Sequence, residues 1–169
     1  VQQSMGLKKA PPLRVCERVN SPMMIGLLRP CLLLPAGDWD SRELGFILRH
    51  ELTHYRRRDL WYKLAVLCAN AVHWFNPLVY LLAREASADM ELTCDGAVVS
   101  GADAEDRRAY SETLLASVRR RGGGALTTHF YGGAGVMRER FRNILGQQGR
   151  KRGVLDLALT LVLTLAAAC

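Results

Sequence analysis

The sequence lacks the paired cysteines that a disulfide framework or a cysteine-based zinc knuckle would need. Its 169 residues include only five cysteines, which are odd in number, widely spaced and free of CxxC pairs. Disulfide-rich domains and cysteine zinc modules carry paired, closely spaced cysteines. Hydrophobic residues make up 49% of the chain, so the sequence predicts a protein that folds around an ordinary hydrophobic core in a reducing compartment.

Acidic residues are few compared with basic ones. There are 16 Asp and Glu against 23 Lys and Arg, which gives a net charge of +7. This excess favours anionic partners, either nucleic acid or acidic lipid. The arginine runs at residues 56–58 and 119–121 are the candidate patches, and both lack the interleaved aromatics of a surface that binds nucleic acid. We therefore expect no direct nucleic-acid contact and a domain held at a lipid bilayer.

The two ends of the sequence lack the features of a complete secreted protein. The N-terminus has neither an initiator Met nor a signal-peptide pattern, so we expect a piece of a longer chain. At the other end, the basic residues 150–152 precede an apolar stretch of 16 residues, 154–169, where a membrane span needs about 20. We predict a domain over 1–150, then a basic flank and a partial transmembrane helix over 151–169, with a buried core helix as the alternative. The positive-inside rule would place the domain in the cytoplasm.

Local patterns predict a mainly helical α+β fold with a small strand region near the N-terminus. Short strands and turns are expected within residues 13–35. Five helices are predicted. The first begins at a cap at Asp40 and runs to Arg58, and the second covers 60–72 with Asp59 as its cap. The third begins at Asn76 and Pro77 and runs to residue 100, the fourth follows a cap at Asp103, and the fifth covers 136–145. The apolar helix over 60–72 lies either in the core or against a bilayer.

The motif that carries chemistry is His50-Glu51-Leu52-Thr53-His54, an HExxH pattern on a predicted helix. Histidines four residues apart share one helix face and can chelate one metal ion. Imidazole suits Zn²⁺, and a hydrolytic zinc site takes three protein ligands and a water. We therefore predict a Zn²⁺ site with Glu51 as the catalytic base; the alternative is two surface histidines.

A third ligand has to come from elsewhere in the chain. The sequence after His54 lacks the further histidine of the longer HExxHxxGxxH form, so a carboxylate from a later helix is expected. The candidates are Glu85, Asp89, Glu91 and Asp95. Glu91 and Asp95 share a helix face at i and i+4, so we predict Glu91 as the ligand and Asp95 as the carboxylate that orients a ligand imidazole.

Several segments of the sequence carry a family resemblance. They are HELTHYRRRD (50–59), HWFNPLVYLLAREASADMELTCD (73–95), the shorter matches at 21–22, 26–30 and 33–35, and RERFRNIL (138–145). Over about residues 21–145 the chain resembles the metallopeptidase domain of BlaR/MecR-type bacterial membrane receptors for β-lactam antibiotics and their antirepressor relatives.

The resemblance implies a gluzincin, a zinc metalloendopeptidase whose ligands fall here on His50, His54 and Glu91. It further implies a protease domain that faces the cytoplasm at the bacterial membrane and cuts a repressor or its own chain in a signalling system. Two alternatives stay open: a proteolytically silent zinc-binding scaffold and a basic docking module. A homo-oligomer is also open.

Two minor expectations concern substrate binding. His73 or His129 would stabilise an oxyanion, unless they are structural. A strand within 28–34 would bind substrate by strand addition, unless it is a core strand.

Overall fold

The computed structural model describes residues 1–120 and 134–146. Three strands precede five helices: β1 Leu13–Cys16, β2 Met23–Ile25, β3 Cys31–Pro35, α1 Ser41–Arg57, α2 Asp59–Val72, α3 Pro77–Val98, α4 Ala104–Arg120 and α5 Ala134–Ile144. The mainly helical α+β class with an N-terminal strand region is thus confirmed. The transmembrane helix predicted within 151–169 lies outside the described residues.

The sheet has the strand order β1-β3-β2. β3 pairs with β1 in parallel and with β2 antiparallel, and its Leu32 and Leu34 are buried. Both edges of β3 are occupied, so the strand within the segment 28–34 is a core strand. The expectation that this strand binds substrate by strand addition is wrong. Gly26, at φ +85°, makes the tight turn after β2.

The junction between α1 and α2 is abrupt. α1 begins after Asp40, whose side chain accepts hydrogen bonds from the backbone N–H groups of Arg42 and Glu43, as predicted. It ends at Arg58, which is left-handed at φ 59° and is also the residue before α2. The prediction that Asp59 caps α2 is wrong, because Arg58 occupies the cap position and the Asp59 side chain turns back toward α1.

Four helices, α1, α3, α4 and α5, enclose the main core. Its buried members are Phe46, Val98, Val99, Tyr110, Leu114 and Ile144. By contrast, α2 buries only Asp59, so the alternative of a core helix over 60–72 is wrong. Across residues 1–120 and 134–146, no helix combines the length and the apolar character that crossing a bilayer requires.

Candidate metal centre

The two histidines of the HExxH motif meet on one face of α1. The Nε2 atoms of His50 and His54 lie 3.2 Å apart, and both side chains are 12% exposed. One helical turn separates the residues, so the regular geometry of α1 is enough to bring their rings together.

Glu91 reaches this pair from α3. Its Oε2 lies 3.5 Å from Nε2 of His50 and its Oε1 lies 3.7 Å from Nε2 of His54. Bonds of about 2.0–2.2 Å in a tetrahedron place zinc ligands about 3.3–3.6 Å apart. The observed spacings of 3.2, 3.5 and 3.7 Å lie within about 0.1 Å of this range, so the three predicted ligands lie close enough together for one ion such as Zn²⁺. The other two carboxylate candidates, Glu85 and Asp89, belong to neither of the ligand clusters found among the described residues.

The outer nitrogen of His50 contacts a tyrosine that the sequence patterns do not predict. The Tyr110 hydroxyl on α4 lies 2.9 Å from Nδ1 of His50 and donates a 2.6 Å hydrogen bond to Oδ1 of Asp95. Asp95 is fully buried, and its Oδ1 is 3.4 Å from the same Nδ1. The predicted orienting carboxylate thus lies beside His50, with the tyrosine hydroxyl as the nearer group.

The outer nitrogen of His54 faces Asp59. Oδ2 of Asp59 lies 2.7 Å from Nδ1 of His54, and Asp59 is 4% exposed. A carboxylate in this position fixes the tautomer and the ring orientation of a metal-binding histidine. The left-handed residue Arg58 makes this contact possible, because it reverses the chain immediately after α1.

Cys94 lies against the same nitrogen, and together with His54 and Asp59 it forms a second cluster of potential ligands. Its Sγ is 3.3 Å from Nδ1 of His54. Burial and the neighbouring Asp59 raise the pKa of the Cys94 thiol. Asp59 makes the shorter contact with this nitrogen, at 2.7 Å, and we assign that contact as a hydrogen bond that supports His54.

A buried arginine completes the cluster from α5. Arg140 is 7% exposed and donates to both oxygens of Asp95, at 2.7 and 2.8 Å; its Nη1 is 3.0 Å from Oε2 of Glu91. Burial alone would raise the pKa of Asp95, but hydrogen bonds from Arg140 and His50 lower it to about 2. Burial likewise lowers the pKa of His50, and its bonds to Asp95 and Glu91 outweigh this and raise it to about 9.

The cluster of predicted ligands opens into a cleft of about 840 Å³. Glu51 lines this cleft beside the two histidines and is half-buried. Met23 and Met24 of β2 line it as well. Of the two histidines considered for oxyanion binding, His73 is exposed at the end of α2 and is not among the residues of the cleft, and His129 lies outside the described residues.

A mainly helical α+β domain with an HExxH helix and a distal glutamate at its histidines belongs to the class of metallopeptidases. The particular family follows from sequence comparison: the family model described as "BlaR1 peptidase M56" matches residues 1–144. The chain therefore belongs to the BlaR1 peptidase M56 family.

Curated relatives come from two bacterial genera. The chain is 35% identical over 99 residues to the regulatory protein BlaR1 of Bacillus licheniformis, which covers 57% of this chain and 16% of that protein. It is 26% identical over 111 residues to the methicillin resistance mecR1 protein of Staphylococcus aureus strain Mu50, a match that covers 64% of this chain and 19% of that protein. It is 24% identical over 163 residues to the regulatory protein BlaR1 of Staphylococcus aureus, which covers 93% of this chain and 28% of that protein. The chain thus spans less than a third of the length of these relatives.

Proposed function

We propose that this chain is a zinc-dependent metalloendopeptidase domain that hydrolyses peptide bonds within a membrane-associated regulatory system. The observation that carries the proposal is the convergence of His50, His54 and Glu91 at zinc-like spacings, with Glu51 at the cleft beside them. Membership of a peptidase family supports the same reaction.

Each site residue has a distinct role in this proposal. His50, His54 and Glu91 would hold the zinc, which would supply an activated water and polarise the scissile carbonyl. Glu51 would take a proton from this water and deliver it to the leaving amine. Asp95 orients His50. Glu51 lines the cleft in which a bound peptide would lie.

The cleft also suggests how an extended substrate binds. Within the described residues β2 pairs with β3 alone, so its outer edge is unpaired, and two of its residues line the cleft. An extended peptide can add to such an edge through backbone hydrogen bonds. This mode selects unstructured segments of a protein, as expected of an endopeptidase.

The regulatory part of the proposal is supported by the relatives, which are named as a regulatory protein and a methicillin resistance protein. We propose that the substrate is a cytoplasmic repressor, the chain itself, or both, and that the system responds to an antibiotic of the β-lactam class. The domain then faces the cytoplasm at the bacterial membrane.

The exposed face of α2 and the turn after it support the bilayer as a partner. Its large apolar side chains are Trp61, Tyr62, Leu64, Leu67, Val72, Trp74 and Phe75, with exposed fractions between 36% and 70%. Lys63 and the three arginines at 56–58 are exposed next to them. Aromatic and aliphatic side chains beside basic ones fit the surface of an anionic membrane.

Zinc content is the first test of the proposal. We expect about one zinc per purified chain, a large loss in Glu91→Ala, and no loss in the matched control Glu17→Ala, whose side chain is exposed. A folded parent chain that binds no zinc would refute the proposal and favour the docking module.

The second test concerns the reaction. Glu51→Gln should keep the zinc but form none of the products that the parent chain releases from an unstructured protein or from itself, as read by mass spectrometry. Equal cleavage by this variant would remove Glu51 from the mechanism. Zinc binding without cleavage by the parent in anionic vesicles would favour the silent scaffold.

The membrane contact is tested with vesicles. The parent chain should bind vesicles that contain anionic lipid more tightly than neutral vesicles or duplex DNA. Replacing Trp74 and Phe75 with Ser should weaken this binding without unfolding the protein, since both side chains are about 70% exposed. Preferential binding to the duplex would refute the bilayer as the partner.

A further inference from the structure

Arg140 occupies an unusual position for a residue of the last described helix. It comes from α5, yet its guanidinium is buried and contacts two acidic residues of α3. It donates from Nε and Nη2 to the two oxygens of Asp95, and Nη1 lies 3.0 Å from Oε2 of Glu91. A planar guanidinium with its donors in a fixed fork can hold two carboxylates in one relative orientation.

The contact with Glu91 bears directly on the predicted ligand atoms. The oxygen that Arg140 holds, Oε2, is the one that lies 3.5 Å from Nε2 of His50. The Glu91 side chain is 29% exposed and has several rotatable bonds, so packing alone leaves it freedom to turn into the cleft. The ion pair with Arg140 removes that freedom and keeps its carboxylate facing the histidines.

The contact with Asp95 extends to His50 through Tyr110. A histidine that binds a metal through Nε2 carries its proton on Nδ1. That N–H donates to the Tyr110 oxygen at 2.9 Å, and the tyrosine O–H donates onward to Asp95 at 2.6 Å. Both donors, the His50 N–H and the Tyr110 O–H, then have an acceptor. This series of hydrogen bonds ends at the Asp95 carboxylate, which Arg140 holds in place.

We propose that Arg140 is a positioning residue of the zinc site, which holds Glu91 directly and His50 through Asp95 and Tyr110. This inference rests on the proposed function, because it assumes that Glu91 and His50 are ligands. It makes zinc affinity dependent on how α5 is seated against α3.

The test measures zinc affinity of the purified chain by competition with a chromophoric chelator. Arg140→Met should weaken zinc binding about 10- to 100-fold, the usual cost of losing a group that supports a ligand. Arg140→Lys should also weaken it, since a lysine keeps the charge but lacks the fork. The matched control is Arg138→Met, an exposed arginine on the same helix, which should bind zinc like the parent.

A second readout separates positioning from general stability. The visible absorption spectrum of the Co²⁺-loaded chain reports ligand geometry, so it should change in the Arg140 variants and not in the control. A structural role alone would lower the melting temperature and leave both the affinity and the spectrum unchanged. That result in a folded Arg140 variant would overturn the inference.

If neither Arg140 variant folds, Tyr110→Phe tests the hydrogen bonds that link His50 to Asp95. It keeps the ring that packs on Phe46, with centroids 5.6 Å apart, and removes only the hydroxyl between His50 and Asp95. Reduced zinc affinity with an altered cobalt spectrum would support the inference, and parent-like values would overturn it. A folded parent that binds no zinc would instead mean that the proposed function itself has failed.

Discussion

Asp59 offers the sharpest single perturbation of the candidate site. It is 4% exposed, it lies 2.7 Å from Nδ1 of His54, and it contacts no predicted ligand other than that ring. Asp59→Asn keeps the size of the side chain and an oxygen acceptor but removes the charge. Asp59→Ala removes the acceptor and leaves a buried N–H without this partner.

The expected magnitudes follow from that difference. A hydrogen bond to a charged group contributes about 1.5–3 kcal/mol and one between neutral groups about 0.5–1.5 kcal/mol. Asp59→Asn should therefore lose about 1–1.5 kcal/mol of zinc binding, which is roughly tenfold in affinity. Asp59→Ala should approach the 100-fold loss at the upper end for groups that support a metal ligand.

Competition with a chelator measures the affinities, and circular dichroism checks that each variant is folded. Asp38→Asn and Asp38→Ala are the matched controls, because Asp38 is exposed in the loop before α1 and should leave the affinity unchanged. Folded Asp59 variants that bind zinc as tightly as the parent would refute the assignment of Asp59 as the support of His54.

Three further predictions concern the fold and the metal. Ile144→Ala should lower the free energy of unfolding by about 2–5 kcal/mol, because Ile144 is fully buried, whereas Leu145→Ala, at a half-exposed neighbour, should cost much less in the same urea titration. Gly26→Ala should destabilise the protein, since a Cβ would lie 2.5 Å from the Arg29 carbonyl oxygen at a φ of +85°. Gly96→Ala on α3, where a Cβ would meet no atom within 4 Å, should stabilise the protein by about 0.5–1 kcal/mol, and the reverse order of stabilities would refute the conformation described for Gly26. Removal of zinc by a chelator should lower the melting temperature, because a ligand at 100 times its Kd stabilises the folded state by about 2.7 kcal/mol, and zinc should restore it; an unchanged transition would argue against binding to the folded state.

The local parts of the site could be predicted from the sequence, and the long-range parts could not. The HExxH spacing, the cap at Asp40 and the i, i+4 pair of Glu91 and Asp95 are properties of single helices, which periodicity describes well. Tyr110 lies 60 residues from His50 and Arg140 lies 45 residues from Asp95, so their positions depend on how α4 and α5 pack.

The contact of Asp59 with His54 is also not predicted from the sequence, although Asp59 is close to the motif. Its spacing of five residues after His54 places it on the far side of an ideal helix. Only the left-handed conformation of Arg58, a non-glycine residue at φ 59°, ends α1 and brings Asp59 back to the ring. The available signal is an aspartate directly after an arginine-rich helix end, and such an aspartate more commonly indicates a helix cap.

The charges of the buried cluster give an independent reason for a divalent cation at this site. Asp59, Glu91 and Asp95 bring three negative charges and Arg140 brings one positive charge, so two positive charges are missing when both histidines are neutral. Arg57 reaches Asp59 only from the surface, at 3.3 Å and with a side chain 40% exposed, where water screens it. Buried charge without compensation is costly. In the metal-free protein a proton on His50, whose pKa is raised by its bonds to Asp95 and Glu91, supplies part of the balance. A Zn²⁺ ion would supply both of the missing positive charges.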